Sequence, residues 1–431
     1  MASHDSLRQL REEQRRRFES AKNSGSVPEV KKCNACHQPT YSAVVCPVSG
    51  HYHNLDRKRL IGGSMVDTNF ISSAALMTAI DQTRVRWAPS TTQLVKVDAQ
   101  SINIFQSFLA QVEWSLQRYG ILYGTYDSAS QTIEVHAVYE PEQHGNAFTF
   151  EVTPDPHLDR VDQVAKELGL RRVGVACTHS IRNTDEMLLN FRELLLCARE
   201  QSRFGDECVL LTVGPSATSS TAEADERSTA PGESPASAGV LSGGAGNANA
   251  PAFVVACQAW QTSAQCVQLY RLDVLRESPL GEAALQTVEQ ARSVHCTIPL
   301  EVAQTDTDPS GHQRFVTKAP STEIDTRWFT SYIAVQQFES PIVRGAFMRL
   351  SRPGMPPPVL QNLRNYLNDP KRKNASFAES IADFHVLVYL MTQVFTSKED
   401  LCALCSVAKS KKMDDVARNY EAILKAMLSV Q

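Results

Sequence analysis

Strand-like and helix-like segments alternate between residues 93 and 215, and this alternation limits the fold more than any other feature. The run VKVDAQSINIFQSFLAQVEWSLQRYG predicts a strand followed by an amphipathic helix, because its apolar residues recur at helical spacing. The predicted apolar face carries Ile104, Phe108, Val112 and Leu116. The next run, ILYGTYDSASQTIEVHAVYEP, predicts a hairpin, since two β-rich stretches flank a serine-containing turn. These patterns indicate an α/β (α+β) domain.

The same pattern continues and is then interrupted by a long polar segment. The run DRVDQVAKELGL predicts a second helix that ends at Gly169, and RRVGVACTH and ECVLLTVGP predict buried strands. Residues 215–251 contain almost no large apolar side chain, which predicts a disordered loop. Strand character resumes at AFVVACQAWQTS. We therefore expect the loop to be an insertion between paired strands of one domain, residues 91–275.

The N-terminal region contains a dense group of potential metal ligands. They are Cys33, Cys36, Cys46, His51 and His53. The CxxC pair places two thiolates on one tight turn, so the chain must return only two more donors to complete a tetrahedral zinc site. We predict a zinc-binding module at residues 28–62 that holds one structural Zn²⁺. Spacing leaves open which two of the three later residues ligate, and a chance cluster is the alternative.

The two ends of the chain have different character. Residues 1–27 predict a helix with a thin apolar stripe, which suits either a partner-binding helix or a solvated, frayed terminus. Residues 276–431 are expected to form a C-terminal domain. Its first part, 296–350, is strand-rich and irregular, and the Pro-rich run RPGMPPPV ends it. From residue 358 the pattern is helical.

Several residues of the helical part have a structural interpretation. Ser376 and Glu379 fit a capping box at the start of a helix. His385 is expected to satisfy a backbone group. Cys402 and Cys405 lie in a helical stretch without a matching second pair of ligands, which favours packing in the core.

Composition excludes several classes of protein. A chain of 431 residues exceeds one ordinary core, so two or three units are expected at roughly 100–200 residues each. The net charge of −4 provides no basic field that would favour nucleic acid. The charged start MASHDSLRQLREEQ offers no apolar stretch that could serve as a secretory signal, so we expect no export, and no apolar run is long enough to insert into a membrane. Eleven cysteines in this setting suit a reducing compartment, the cytoplasm or nucleus.

Four short runs carry a resemblance to a known family. They are RYGILYGTY, HAVYEPEQHG, ELGLRRVG and ADFHVLVYLMTQVF, and QTSAQCVQLYRLDVL supports them. In this order they resemble the nuclear protein localisation four family, ubiquitin-binding cofactors of the AAA unfoldase valosin-containing protein. The resemblance covers roughly residues 95–400. It implies an MPN-type domain with zinc modules before it and a C-terminal domain after it.

The resemblance also implies a function and partners. Such a cofactor binds polyubiquitin, works with a ubiquitin fusion degradation one subunit, and delivers ubiquitinated proteins to the unfoldase for extraction and proteasomal degradation. Its expected location is the cytoplasm and nucleus, with recruitment to the surface of the endoplasmic reticulum. Too few residues precede Cys33 to hold the family's N-terminal ubiquitin-like domain, so we expect the chain to lack it. No cysteine lies between Cys46 and Cys177, so one zinc site is expected where the family usually has two.

Catalytic MPN domains are zinc isopeptidases, and the sequence departs from what their chemistry requires. A glutamate general base, an HxH pair and a Ser-x-x-Asp turn are needed. Gln117 stands where the family strand would place the glutamate, and Cys177 replaces the first histidine before His179. Met187 and Asn190 occupy the expected serine and aspartate positions. We therefore expect a non-enzymatic adaptor. The alternatives are an active deubiquitinase and a structural MPN subunit of a proteasome-lid-like or translation-initiation complex.

Overall fold

The computed structural model describes most of the chain from residue 84 onward, together with four short strands before it. The described residues are 31–32, 39–40, 58–61, 64–67, 84–179, 189–217, 239–241, 253–307, 313–317 and 320–429. They divide into two compact units. One unit comprises Met1–Trp87, Gln268–Arg276 and Val294–Trp328, and the other comprises Ala88–Val267, Glu277–Ser293 and Phe329–Gln431.

Strands and helices alternate in the order expected from the sequence pattern. The strands are β1 Lys31–Lys32, β2 Pro39–Thr40, β3 Lys58–Ile61, β4 Ser64–Asp67, β5 Arg84–Val85, β6 Leu94–Asp98, β7 Tyr119–Asp127, β8 Thr132–Tyr139, β9 Gln143–Gly145, β10 Phe150–Val152, β11 Arg171–Thr178, β12 Val209–Ala217, β13 Gly239–Leu241, β14 Phe253–Thr262, β15 Leu275–Arg276, β16 Ser293–Thr307, β17 Gln313–Thr317, β18 Ser321–Asp325 and β19 Thr330–Phe338. The helices are α1 Ala99–Gln111, α2 Leu158–Glu167, α3 Phe191–Phe204, α4 Ala264–Arg271, α5 Val288–Ala291, α6 Leu360–Leu367, α7 Phe377–Ile381, α8 Phe384–Tyr389, α9 Lys398–Ser410 and α10 Asp415–Ser429. A π-helical turn, Leu390–Val394, continues α8.

One sheet organises the larger unit. Its eight strands follow the order β12-β11-β7-β8-β6-β19-β14-β13, and β12 also pairs with β14, so the sheet closes on itself. The pairs β11–β12, β6–β8 and β6–β19 are parallel, whereas the other neighbours are antiparallel. In the other unit, β16 pairs with β5, β15, β17 and β18.

Alternate residues of the closed sheet face two separate apolar clusters, as the two-residue period of a strand requires. Leu122 and Ala176 pack with α1, whereas Ile121 and Val175 pack with α2 and the C-terminal helices. Both clusters belong to the same compact unit. None of the described helices is both long and apolar enough to cross a membrane.

The predicted apolar face of α1 is wrong at three of its four positions. Phe108 is buried, but Ile104 is only half-buried, and α1 ends before the two later residues. The apolar side chains that α1 buries are Ile102, Phe105, Phe108 and Leu109. Glu113 and Trp114 have positive φ angles of 52° and 56°, so the chain leaves the helix there and turns the indole inward.

The C-terminal region does not separate at residue 275 in the way the sequence suggested. β19 lies between β6 and β14 in the closed sheet, so residues 330–338 complete the sheet that begins at residue 94. Residues 294–328 instead group with β5 and β15. The cause is long-range strand pairing, which the local character of the sequence does not specify. The expected helical character from residue 358 is confirmed by α6 and the helices after it.

The expected insertion is flanked by paired strands. β12 and β14 are antiparallel partners from Leu210↔Trp260 to Ala217↔Phe253. The prediction of one unbroken loop over 215–251 is wrong in part, because β12 extends to Ala217 and β13 pairs with β14 through Gly239↔Cys257. Backbone hydrogen bonding to an open strand edge explains a strand that composition did not indicate. The remainder of 215–251 and the predicted N-terminal helix, 1–27, lie outside the described residues.

Candidate functional site

The side-chain amide of Gln117, which stands where a catalytic MPN domain would need its glutamate base, is held by hydrogen bonds. Gln117 precedes β7 and is only 2% exposed. Its Oε1 accepts a hydrogen bond from the Thr178 hydroxyl at 2.9 Å, and its Nε2 donates to the Ala147 carbonyl at 3.0 Å. The Thr178 hydroxyl also accepts from the backbone N–H of Arg118 at 2.7 Å. The amide therefore ties together the ends of β7 and β11, and it has no proton-accepting form at neutral pH.

The two residues of the expected metal pair lie in different surroundings. Cys177 is buried on β11 in an apolar cluster with Val175 and Leu189. His179 follows the end of β11, and its ring lies so close to Gly214 that a Cβ there would approach within 2.3 Å. Glycine is therefore the residue that allows the ring to occupy this position. Among the described residues, no three His, Cys, Asp or Glu side chains are grouped to hold a metal ion.

Asn190 has a capping role at the place where the family's aspartate was expected. Its side chain accepts from the backbone N–H of Glu193 at 2.8 Å, and the Glu193 carboxylate accepts from the backbone N–H of Asn190 at 2.9 Å. This reciprocal capping box starts α3. Met187 lies outside the described residues.

The predicted zinc ligands also lie outside the described residues, although the strands around them are described. These ligands are Cys33, Cys36, Cys46, His51 and His53. β1 pairs with β2 through Lys31↔Thr40 and Lys32↔Pro39, so a paired hairpin brackets the CxxC sequence. β3 and β4 form a second antiparallel pair after His53. The zinc module remains a prediction.

The structural interpretations in the helical part are confirmed for His385, Cys405 and the capping box, and wrong for Cys402. His385 is fully buried and its Nε2 lies 3.1 Å from the Val138 carbonyl, which accepts its hydrogen bond. Cys405 is buried in the core, as expected. Cys402 is exposed, because it lies on the outer face of α9. Ser376 and Glu379 form the expected capping box of α7.

The sequence reasoning missed a buried charge cluster, which we call the arginine cluster. It consists of Arg118, Arg349, Arg352, Glu140 and Phe108. Glu140 is fully buried and accepts from Arg118 Nη2 at 3.0 Å and from Arg352 Nη2 at 2.5 Å. The guanidinium of Arg352 lies over the Phe108 ring at 4.7 Å. No local sequence pattern predicts these contacts, since Glu140 and Arg352 are 212 positions apart.

Electrostatics within the cluster explain how a carboxylate can be buried there. Burial alone would raise the pKa of Glu140, but Arg352, Arg118 and Arg349 outweigh that effect and the pKa is lowered. Burial lowers the pKa of Arg118, although Glu140 opposes the change. Burial also lowers the pKa of Arg349 to about 10. The ionised carboxylate therefore holds residues 349–352 against the start of β7.

A cavity of 270 Å³ opens between α6, α7 and α10. The apolar side chains that line it include Leu367, Phe377 and Leu428, and the charged side chains that line it are Arg364, Glu421 and Lys425. Partly buried apolar side chains beside exposed charged ones are typical of a protein-binding surface. The sequence predicted the helices but not this opening.

Comparison with known proteins identifies the family of the chain. The NPL4 family model matches residues 118–214 and 239–428, more than half of the chain. A nuclear protein localization protein 4 homolog of Dictyostelium discoideum is 29% identical over 44% of this chain and 34% of its own length. A rice NPL4-like protein is 24% identical over 77% of this chain and 67% of its own length. The human nuclear protein localization protein 4 homolog is 24% identical over 71% of this chain and 49% of its own length.

The matches differ in how much of each relative they cover. The chain spans about half of the human relative and about a third of the Dictyostelium relative. The family match nevertheless includes β11, most of β12 and the helices from α6 to α10. This chain belongs to the NPL4 family.

Proposed function

We propose that the chain is a non-catalytic cofactor that binds polyubiquitin and delivers ubiquitinated proteins to an AAA unfoldase of the valosin-containing protein type. It works in the cytoplasm and nucleus, with recruitment to the endoplasmic reticulum surface, and beside a ubiquitin fusion degradation one subunit. Membership of the NPL4 family supports this proposal. The extracted proteins would then pass to the proteasome.

The Gln117 amide is the observation that carries the non-catalytic part of the proposal. Isopeptide hydrolysis by an MPN domain needs a base that takes a proton from a metal-bound water. Both ends of this amide are instead engaged in hydrogen bonds with Thr178 and Ala147. Cys177, at the position of the first metal-binding histidine, is buried in an apolar cluster. An adaptor needs none of these groups.

We place part of the ubiquitin-binding surface at the cavity between α6, α7 and α10. Protein recognition requires an apolar patch that can be dehydrated and a rim that keeps its hydrogen bonds. Leu367 and Leu428 supply the apolar patch, and Arg364 and Lys425 supply the hydrogen-bonding rim. Linked ubiquitins would bind more tightly than a single ubiquitin, since each bound module raises the effective concentration of the next.

The test incubates the purified chain with polyubiquitin and zinc, and follows both retention of chains and release of free ubiquitin. We expect retention without release. Leu428→Arg should weaken retention, whereas Ile423→Arg should not, because Ile423 lies on α10 outside the cavity and is already 45% exposed. Release that a chelator abolishes would contradict the adaptor. Equal retention by both variants would remove the cavity from the binding surface.

The second candidate is a structural subunit of a proteasome-lid-like or translation-initiation complex. The closed sheet alone would suit such a subunit. Loss of all polyubiquitin binding, with the presumed partner subunit present, would favour this candidate over the adaptor.

A further inference from the structure

The arginine cluster carries more positive than negative charge, and its side chains are almost completely buried. The side chains of Arg118 and Arg349 are each 1% exposed, and that of Arg352 is 10% exposed. Glu140 supplies one negative charge, and Asp383, which acts electrostatically on Arg349, supplies a second. Three guanidinium groups therefore face two carboxylates among the described residues. One positive charge is left without compensation.

Neighbouring groups do not remove this excess. His385 is fully buried nearby, and burial together with Arg349 and Arg352 keeps its pKa well below the usual range, so it adds no charge near neutral pH. The Asp383 carboxylate already accepts from the backbone N–H groups of Ala346 and Phe347 at 2.7 and 3.1 Å. A buried charge without a partner is costly, so an opposite charge is expected close by.

The donors of Arg349 show where that charge belongs. Its Nη1 donates to the carbonyls of Gly345 and Phe347 at 2.7 and 2.8 Å. Its Nε and Nη2 have no acceptor among the described residues, and neither does Nε of Arg118. The Nε and Nη2 atoms of Arg349 form the edge with which a guanidinium binds anions through two parallel hydrogen bonds. The nearest carboxylate oxygen, Glu140 Oε1, is 3.7 Å from Nε and already binds Arg352.

We propose that the arginine cluster binds one small monovalent anion, of the size of chloride, at the Nε–Nη2 edge of Arg349. One such anion neutralises the remaining charge and accepts the two unused hydrogen bonds. A water molecule would satisfy the hydrogen bonds but leave the charge. A divalent anion would overcompensate beside Glu140 and Asp383.

Crystals of the full chain grown in sodium bromide test the site directly, because bromide scatters anomalously and water does not. We expect an anomalous peak within hydrogen-bond distance of Arg349 Nε and Nη2. An ordered water without anomalous signal at that edge would overturn the proposal. So would a Glu140 carboxylate that has turned to occupy it.

Thermal unfolding provides a second, independent readout. At constant ionic strength, replacing gluconate by chloride should raise the Tm by about 3–6 °C with saturation. Arg349→Lys keeps the charge but removes the two-donor edge, so it should abolish the rise. The matched control Arg418→Lys, on the exposed surface of α10, should keep it. If Arg349→Lys fails to fold, the anomalous signal in bromide crystals of the unmodified chain decides whether an anion occupies the site.

The same rise in Arg349→Lys as in the unmodified chain would contradict the site. A bromide peak without any chloride-dependent rise would mark an adventitious ion only, and the proposal would then fail.

Discussion

At the scale of single residues, Asp383 is the carboxylate on which the backbone of the C-terminal region converges. It is fully buried, and it accepts from the N–H groups of Ala346 and His385 at 2.7 and 2.9 Å and from the Tyr366 hydroxyl at 2.6 Å. It therefore joins the segment before residue 350 to α6 and caps the start of α8.

Asp383→Asn should lower the free energy of unfolding by at least about 3 kcal/mol, since the amide nitrogen cannot accept from buried donors that each cost about 1–3 kcal/mol when unpaired. Tyr366→Phe removes one donor and should cost about 1–2 kcal/mol. Urea unfolding monitored by circular dichroism measures both. Equal losses in the two variants would show that the carboxylate has no central role.

His385 should make stability depend on pH. Burial and the nearby Arg349 and Arg352 hold its pKa well below the usual range, so the folded state excludes a proton that the unfolded chain takes up below about pH 6.5. The free energy of unfolding should therefore fall as pH drops from 7 toward 5.5. Burial also lowers the pKa of His136, which acts in the same direction.

His385→Gln should flatten this pH dependence by up to about 1.4 kcal/mol per pH unit, and His136 should maintain the remainder. Urea titrations at several pH values give the slope. An unchanged slope in the variant would assign the effect to other groups.

At the scale of elements, the insertion between β12 and β14 contains a polar loop that composition predicts and a strand, β13, that it does not predict. A segment without large apolar side chains cannot bury a core, so deletion of residues 222–234 should change the Tm by less than about 2 °C. Deletion of 218–250 also removes β13, whose three residue pairs with β14 then disappear.

The longer deletion should therefore lose more stability than the shorter one, although the long β12–β14 pairing should keep the sheet closed. Differential scanning calorimetry of both variants measures the difference. A large loss in the shorter deletion would mean that the loop packs against the protein. Equal values for both would mean that β13 contributes nothing.

At the scale of the whole molecule, the zinc module is predicted to be separate from the closed sheet. Residues 28–62 should bind one equivalent of zinc, and Cys36→Ser should abolish binding while the main thermal transition stays unchanged. Cys402→Ser is the matched control, because Cys402 is exposed on α9 and should not affect zinc content. Less than half an equivalent of zinc in the unmodified chain would count against the module.

Several local elements follow from residues that are neighbours along the chain. Short β-rich runs predicted β7, β8 and β11, which are buried over most of their length, and Gly169, which has φ of +80°, marked the end of α2. The interpretation of His385 also followed from its apolar neighbours. These features depend on residues close to one another along the chain, so a short window of sequence contains the physical information that specifies them.

The contacts between residues far apart along the chain depend on the complete fold. β19 pairs with β6 across more than 230 positions, and Glu140 meets Arg349 and Arg352 only after the chain has closed around it. An arginine in a polar stretch has the same local pattern whether it lies in water or against a buried carboxylate. Its partner is selected by the burial and hydrogen bonding of the complete fold, which no single segment of the sequence contains.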